Sequence, residues 1–402
     1  MRKKTELKVA SERGDEQNIS VKNPSWRDWT WQQRNAVRDV RQMSRFFPNI
    51  NSDFFDRLYQ QSGERLRFQV TPYIISQIPK DMTEDELIES HWFIQFFPQG
   101  EIQTEGHDAY DGTDNWERPE EFPTRNVQHK YPDRVILRLN NCLGYCSFCL
   151  EALRTLEKKP ASEKRFVWDE WNQSLAYLKE HPEIREVILS GGEPLLNADN
   201  TLERILTDVS GVPQIRFKRI HTRALTFNPY RVTDELVDLL RGYSVNVVAL
   251  NVVHPDEITD DFKTATVKLK ESGAMVVAQS PLIRGVNNDE ETLWGLFSGL
   301  YEAGVKPYYL IHSTPHIPYS SAHRVSVRDG VRLMKSLWRN RSHIALPEYV
   351  ILHPEGKHTV PLELDGTPEF QYGKDRGRNP IVRFRNWKGG WVEYPDTEAT
   401  IK

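Results

Sequence analysis

Sulfur is scarce in this 402-residue chain, which has 3 cysteines and 5 methionines. So small and odd a cysteine count excludes a disulfide framework, and with it a fold organised for an oxidising compartment. Long hydrophobic runs are missing as well. No stretch of about 18 apolar residues occurs, so no membrane-spanning helix is expected. Charge of one sign is nearly absent: 53 basic and 57 acidic residues leave −4. That balance excludes nucleic-acid binding driven by bulk positive charge. The N-terminus, Met1-Arg-Lys-Lys-Thr-Glu-Leu-Lys8, is charged and no apolar segment follows it. This pattern is expected of a cytoplasmic protein without a signal peptide. What is present suffices for a globular protein: 38% of residues are hydrophobic and 11% aromatic, enough to build a core.

The length allows two or three domains of about 150 residues, or one barrel with extensions. Residues 1–20 are polar and aperiodic. From Trp26 to Phe47 the pattern predicts a helix, with Trp29, Trp31, Val37, Val40 and Met43 on its apolar face. Residues 101–128 are rich in Asp, Glu, Gly and Pro and read as a polar linker. Strands are then expected at Arg134–Leu139, Arg185–Ser190, Ile215–Thr222, Val245–Asn251, Ala274–Ser280 and Lys306–Ile311. Helices fill the gaps: Ala161–Glu180, Thr201–Val209, Thr233–Leu240, Thr259–Gly273 and Glu291–Ala303. Ser326 can cap a last helix reaching Arg339, with Asp329 at its third position. Six strands alternating with helices imply a parallel sheet. Periodicity leaves open whether it curls into a partial barrel or stays doubly wound.

All 3 cysteines fall in one eight-residue window, Cys142-Leu-Gly-Tyr-Cys146-Ser-Phe-Cys149, directly after the first of these strands. Parallel βα folds gather ligands and catalysts at that end. Three readings compete. The thiols can be incidental core residues. They can hold zinc, which wants a fourth ligand such as His221, His254, His312 or His316, each near a strand end. Such a site would belong to a zinc hydrolase or a metal-stapled interaction module. The third and favoured reading is an iron–sulfur cluster. A [4Fe–4S] cube usually takes four thiolates; three leave one iron open to a ligand with an amine and a carboxylate. Gly144 lets the loop wrap the cube.

The C-x3-C-x2-C loop after a first βα-barrel strand resembles the radical S-adenosylmethionine enzymes. A second match, Ser190-Gly191-Gly192-Glu193-Pro194, follows the next strand and resembles that family's motif for the cofactor's amino group. Two glycines permit close backbone approach, and Glu193 offers an anionic acceptor. The resemblance narrows to lysine 2,3-aminomutase and its relatives and covers nearly the whole chain. It is carried by Asp28-Trp-Thr-Trp-Gln32, Val70-Thr-Pro-Tyr73, His129-Lys-Tyr-Pro-Asp-Arg-Val135, Thr222-Arg223 and His254-Pro-Asp-Glu-Ile-Thr259. Leu282-Ile-Arg-Gly-Val-Asn287, Lys306-Pro-Tyr-Tyr309 and His323-Arg-Val-Ser-Val-Arg-Asp-Gly330 add to it.

The resemblance implies a partial six-stranded (β/α)6 barrel with a helical N-terminal extension and a small C-terminal α+β segment. Its segments would be 1–128, 129–325 and 326–402. It implies a [4Fe–4S] cluster on Cys142, Cys146 and Cys149, and S-adenosylmethionine near Ser190, Gly191, Gly192, Glu193 and Asn251. It also implies pyridoxal phosphate as a Schiff base on Lys357, in the turn Pro354-Glu-Gly-Lys357, with Tyr131 and Arg134 contacting it. Lys130 stands where an arginine is expected, a point charge in place of a fork. The implied activity is an isomerase reaction, 1,2-amino migration through a radical. The implied partners are a small-molecule substrate, a reductant protein of flavodoxin or ferredoxin type and a second copy of the chain; no nucleic acid or membrane is expected.

The chain also departs from the family. The arginine that clamps the substrate carboxylate is replaced by Glu151, and Arg154 lies about one helical turn further on. An aspartate expected after Gly-Val-Asn is Asn288, and the acid expected before the pyridoxal turn is missing from Ile351-Leu-His353. Free lysine is therefore not the expected substrate. Trp26, Trp29 and Trp31 are expected to pack a core or an oligomer interface rather than to bind a partner.

Overall fold

In the computed structural model the described residues are 19–106, 118–139, 142–156, 168–363, 366–386 and 388–400. Nine strands make the main sheet in chain order. They are β1 (Val127–Tyr131), β2 (Arg134–Arg138), β3 (Glu186–Ser190), β4 (Phe217–Thr222), β5 (Val247–Asn251), β6 (Met275–Leu282), β7 (Lys306–His312), β8 (Glu348–Ile351) and β9 (His358–Thr359). β2 to β8 run parallel, each beside its successor. β1 and β9 close the two edges antiparallel. A doubly wound sheet reverses its strand order at a switch point; this one never does, so it curls in one direction as a partial, unclosed barrel. The parallel set has seven members, one more than expected. The extra strand, β8, is four residues long between Pro347 and the His353-Pro354 turn, too short for a periodicity signal.

Helices pack on the outside, and their ends follow local chemistry. Ser326 accepts from the Asp329 amide at the start of Val327–Asn340, and Thr259 from the Phe262 amide before Asp260–Lys270. Leu202, Ile205, Leu236, Leu240, Leu269, Leu296 and Leu337 turn inward from these helices onto the outward faces of the strands. A second, antiparallel sheet of β10 (Phe370–Lys374), β11 (Pro380–Arg385) and β12 (Trp391–Pro395) joins the same apolar cluster through Phe370, Val382, Phe384 and Tyr394. Of the expected helix Ala161–Glu180, the structure describes Trp168–Glu180; 161–167 lie outside the described residues.

Two expectations need correction. The helix foreseen from Trp26 to Phe47 is two short ones, Trp29–Arg34 and the 3-10 helix Val40–Phe46. Between them Val37 exchanges both backbone hydrogen bonds with Val70, at 2.8 and 3.0 Å, and a long-range bridge outweighs helix propensity there. Val37, Val40 and Met43 are buried as foreseen, while Trp29 and Trp31 are half-buried. The linker 101–128 does not stay irregular: its end forms the start of β1, pairing Val127 with Leu137.

The fold makes one glycine prediction. A Cβ on Gly330 would stand 2.2 Å from the Tyr349 hydroxyl, whereas one on Gly242 meets nothing within 4 Å. Gly330→Ala is expected to lower stability by about 1–3 kcal/mol, and Gly242→Ala to change it by less than about 0.5. Thermal melts that shift equally for both would refute this packing.

Candidate active site

The cysteine loop leaves the C-terminal end of β2 and is braced by the N-terminal segment. The Tyr145 amide donates to the Gln69 carbonyl (3.0 Å), the Ser147 amide to the Gln95 carbonyl (2.9 Å), and the Gln69 side-chain amide to the Leu143 carbonyl (2.7 Å). Gly144 lies against Phe227; a Cβ there would come within 2.2 Å of the ring. Burial pushes all three thiols up: Cys142 far above the ordinary range, Cys149 to about 12, and Cys146 upward although Arg223 opposes the shift. Three adjacent thiolates in such a place need positive charge, which a metal centre supplies. Arg223 contributes some of it, donating from Nη1 to the Cys146 Sγ at 2.7 Å.

The spacing of the donor atoms bears on the kind of metal. Around one tetrahedral zinc with bonds of about 2.3 Å, thiolates sit roughly 3.8 Å apart. Among the described residues, the one trio of ligand atoms within 4.8 Å of one another is His91, His254 and Asp256, not the cysteines. The three thiols, as placed, do not all lie within that distance of one another. Three of the four histidines considered for a zinc site have partners away from the thiols. His312 bonds Tyr349 in the core, His254 stacks on His91, and His221 faces Gln279.

One strand over, Gly191 and Gly192 adopt φ of +67° and +135°, which side chains disfavour. A Cβ on Gly191 would lie 2.9 Å from the Arg138 Cα. Both Glu193 oxygens already accept from the chain: from Thr222 Oγ1 (2.6 Å) and the Leu195 amide (3.0 Å), and from the Arg223 amide (2.7 Å). Burial raises this carboxyl to about 7. Its side chain thus ties the glycine loop to the end of β4. Ser190 ends β3, and Asn251 ends β5, where its Oδ1 accepts from Gln279 (3.0 Å).

At the other edge of the sheet, the turn after β8 delivers Lys357. Gly356, at φ +120°, makes the bend. The Lys357 amide donates to the Tyr131 hydroxyl at 2.6 Å, across 226 positions of sequence. This contact links β1 to the start of β9, the two edges that no ladder joins. The Lys357 ammonium contacts the Tyr309 hydroxyl and lies 3.9 Å from the centre of its ring. Arg134 stacks 4.0 Å over Tyr131, and Lys130 pairs with Glu121 at 3.1 Å. Burial, helped by the charges of Arg134 and Arg219, lowers the Lys357 amine to about 8. An amine easily made neutral, near the Arg134 guanidinium and against the Tyr309 phenol, is chemically suited to an aldehyde carrying a phosphate.

Glu151 is held at 3.1 Å by Arg138, a guanidinium with a fully buried side chain. Arg138 also donates to Gln128 (2.9 Å), and Gln128 to Glu121 (3.1 Å). Sequence reasoning missed Arg138; the signal was one charge in the apolar run Val135-Ile-Leu-Arg-Leu139. It also missed Arg223 as a thiol partner, which no spacing announces. Asn288 accepts from the Gly285 amide (2.7 Å) in a turn beyond β6, and His353 contacts the Glu393 carbonyl (3.0 Å). The Arg154 side chain lies outside the described ones.

A curled parallel sheet with a three-thiol loop after its first parallel strand and a glycine turn after the next defines a radical S-adenosylmethionine protein. The model of the radical SAM superfamily matches residues 136–293. An L-lysine 2,3-aminomutase of Methanococcus maripaludis is 30% identical over 383 residues, covering 94% of this chain and 83% of its own. A glutamate 2,3-aminomutase of Clostridioides difficile is 29% identical over 387 residues, covering 95% and 86%. An L-lysine 2,3-aminomutase of Clostridium subterminale is 28% identical over 377 residues, covering 94% and 86%. Within the superfamily, the chain belongs to the lysine 2,3-aminomutase family. Membership makes it a radical enzyme and implies a [4Fe–4S] cluster and S-adenosylmethionine as cofactors.

After anaerobic reconstitution with iron and sulfide, the wild-type chain is expected to turn brown. Cys142→Ala, Cys146→Ala and Cys149→Ala are each expected to lose that colour and the bound iron. A brown Cys146→Ala protein would remove the cluster from this loop.

Proposed function

We propose that this enzyme catalyses 1,2-amino migration on an amino acid or amine other than free lysine, using pyridoxal phosphate on Lys357 together with the cluster and S-adenosylmethionine. The observation that carries the reading is the convergence of Lys357, Tyr131 and Arg134 on a curled sheet that also carries the three-thiol loop after β2. When bound, pyridoxal phosphate lets an amino nitrogen pass between neighbouring carbons of a radical. The chain's own residues have separable tasks. Cys142, Cys146 and Cys149 would hold the cluster, with Arg223 offsetting thiolate charge. Ser190, Gly191, Gly192 and Asn251 would bind S-adenosylmethionine, with Glu193 fixing the shape of their loop. Arg134, Tyr131 and Lys130 would hold the phosphate. Lys357 would supply a neutral amine to the aldehyde.

The substrate end has an altered charge. Glu151 with Arg138 stands where the family resemblance leads one to expect a lone arginine. A neutral pair clamps a free carboxylate less strongly than a lone guanidinium. Asn288 and Leu352 give no acid for a distal ammonium. Both changes support a substrate other than lysine, held with Glu151, and Arg154 if it reaches, on its polar side. A reductant protein of flavodoxin or ferredoxin type, assembly with a second copy and a cytoplasmic setting complete the reading. Among the described residues no helix is long and apolar enough to cross a membrane.

Trapping tests the cofactor assignment. Borohydride reduction of the enzyme loaded with pyridoxal phosphate, followed by peptide mapping, should label Lys357; label elsewhere, or none, would remove the mutase reading. The trapping rate should follow the neutral amine. Lys357 is lowered in the fold, so its neutral fraction grows about tenfold per pH unit up to roughly pH 8 and then levels. A rate still climbing at pH 10 would mean an ordinary exposed lysine. Arg134→Gln should weaken pyridoxal phosphate retention about tenfold or more while leaving the brown chromophore intact.

A further inference from the structure

Asn126 is fully buried, and neither its Nδ2 nor its Oδ1 has a hydrogen-bond partner among the described residues. None of the assignments above uses it. It stands just before β1, where its carbonyl accepts from the Arg138 amide at 2.7 Å and carries the β1–β2 pairing one step beyond Val127 and Leu137. Val127 and Leu137 pack outward into the apolar cluster. The alternate face holds Gln128 and Arg138, which are bonded to each other at 2.9 Å. Strand alternation places Asn126 on that inward face, with its Cβ about 5 Å from that of Arg138. Its carboxamide therefore flanks the guanidinium that holds Glu151, at the substrate end of the proposed site.

A buried polar group without a partner is unfavourable and rare, and a bound ligand is one way it is satisfied. Asn126 leaves both a donor and an acceptor bare, whichever way its amide is turned. Its neighbours are already committed. Gln128 accepts from Arg138 and donates to Glu121 at 3.1 Å. Arg138 is matched by Glu151 and Glu121 by Lys130, each at 3.1 Å. With those charges paired, this part of the wall offers hydrogen bonds but no net charge. A carboxylate would satisfy the amide N–H and repel the amide oxygen; an ammonium would do the reverse. A group with a donor and an acceptor side by side satisfies both.

We propose that Asn126 is a substrate-binding residue that pairs with a carboxamide on the substrate, accepting from its N–H and donating to its oxygen. This rests on the aminomutase reading above and names the group that the substrate presents to the Glu151 end. The carboxamide belongs either to the substrate's side chain or to its carboxyl carbon. Both sources offer the same pair of hydrogen bonds.

The test uses the reconstituted holoenzyme and two matched pairs of probes: L-glutamine against L-glutamate, and L-norvalinamide against L-norvaline. Binding is read by titration calorimetry. At least one amide should bind about tenfold or more tightly than its acid. A preference for glutamine places the carboxamide on the side chain, and one for norvalinamide on the carboxyl carbon. Asn126→Leu should weaken the favoured amide about tenfold to a hundredfold, and its acid by about threefold or less. Asn126→Asp, which keeps the shape without the N–H donor, should also lose the preference. Because the amide has no partner to lose, ligand-free Asn126→Leu should melt no lower than the wild type. S-adenosylmethionine affinity, from equilibrium dialysis, should not move. Equal binding of amide and acid in both pairs, no binding of any probe, or a preference that survives Asn126→Leu would each overturn the proposal. So would a lower melting temperature or failure to fold in Asn126→Leu, which would make the amide structural, or a fall in S-adenosylmethionine affinity. If Lys357 fails to trap in the wild type, the aminomutase reading falls and this proposal with it; if Lys357 traps and amides and acids bind alike, only the Asn126 assignment falls.

Discussion

Three thiols held out of water within one loop are costly to ionise, and much of the surrounding structure answers that constraint. Burial raises the pKa of all three thiols above the ordinary range, so the thiolate form depends on positive charge brought to the loop. Part of that charge is built in. Arg223 reaches Cys146 while also contacting Gln95 and Glu257, which keeps the guanidinium buried and oriented. The loop is fixed by segments distant in sequence: Gln69 and Gln95 from the N-terminal extension, and Phe227 against Gly144. The extension is thus part of the site's frame, since without it the loop would lose three of its backbone anchors. Glu193 does the same for the glycine turn, holding β3 to β4 with both oxygens.

The second constraint is closure. The barrel stops at β1 on one side and β9 on the other, and no ladder joins them. Tyr131 and Lys357 meet across that gap. A cofactor held by both would staple the open edges together and would couple its binding to barrel integrity. At the thiol end, the Arg138–Glu151 pair fills the interior beside Gly191. An unpaired charge of either sign there would carry a large desolvation penalty. The arginine in the strand and the glutamate after the cysteine loop make sense together and would each be unfavourable alone.

The motifs were readable in advance because each is local: C-x3-C-x2-C, Ser-Gly-Gly-Glu and Gly-Lys are short stretches whose chemistry follows from adjacent residues. The parallel strands from β2 to β7 were readable for the same reason, each being a run of β-branched and aliphatic residues followed by a capped helix. β1 escaped notice, and β8 was legible only as one of the short β-like pieces within 343–402, not as a member of the parallel sheet. One begins inside a polar stretch and the other is four residues long, and both exist because a neighbouring strand offers a ladder. The helix foreseen through Val37 failed where the partner at Val70 lay outside the reading window.

By itself the sequence determined which groups are available and in what local order: three thiols after one strand, two glycines after the next, and a lysine in a late turn. It could not say that Arg223 neutralises Cys146 or that Arg138 holds Glu151. It also could not choose between a doubly wound sheet and a barrel. Those outcomes belong to the tertiary structure, because strand order and curvature set which side chains share an interior. Only there, with water excluded, do charge and hydrogen bonding become strong enough to decide what each group does.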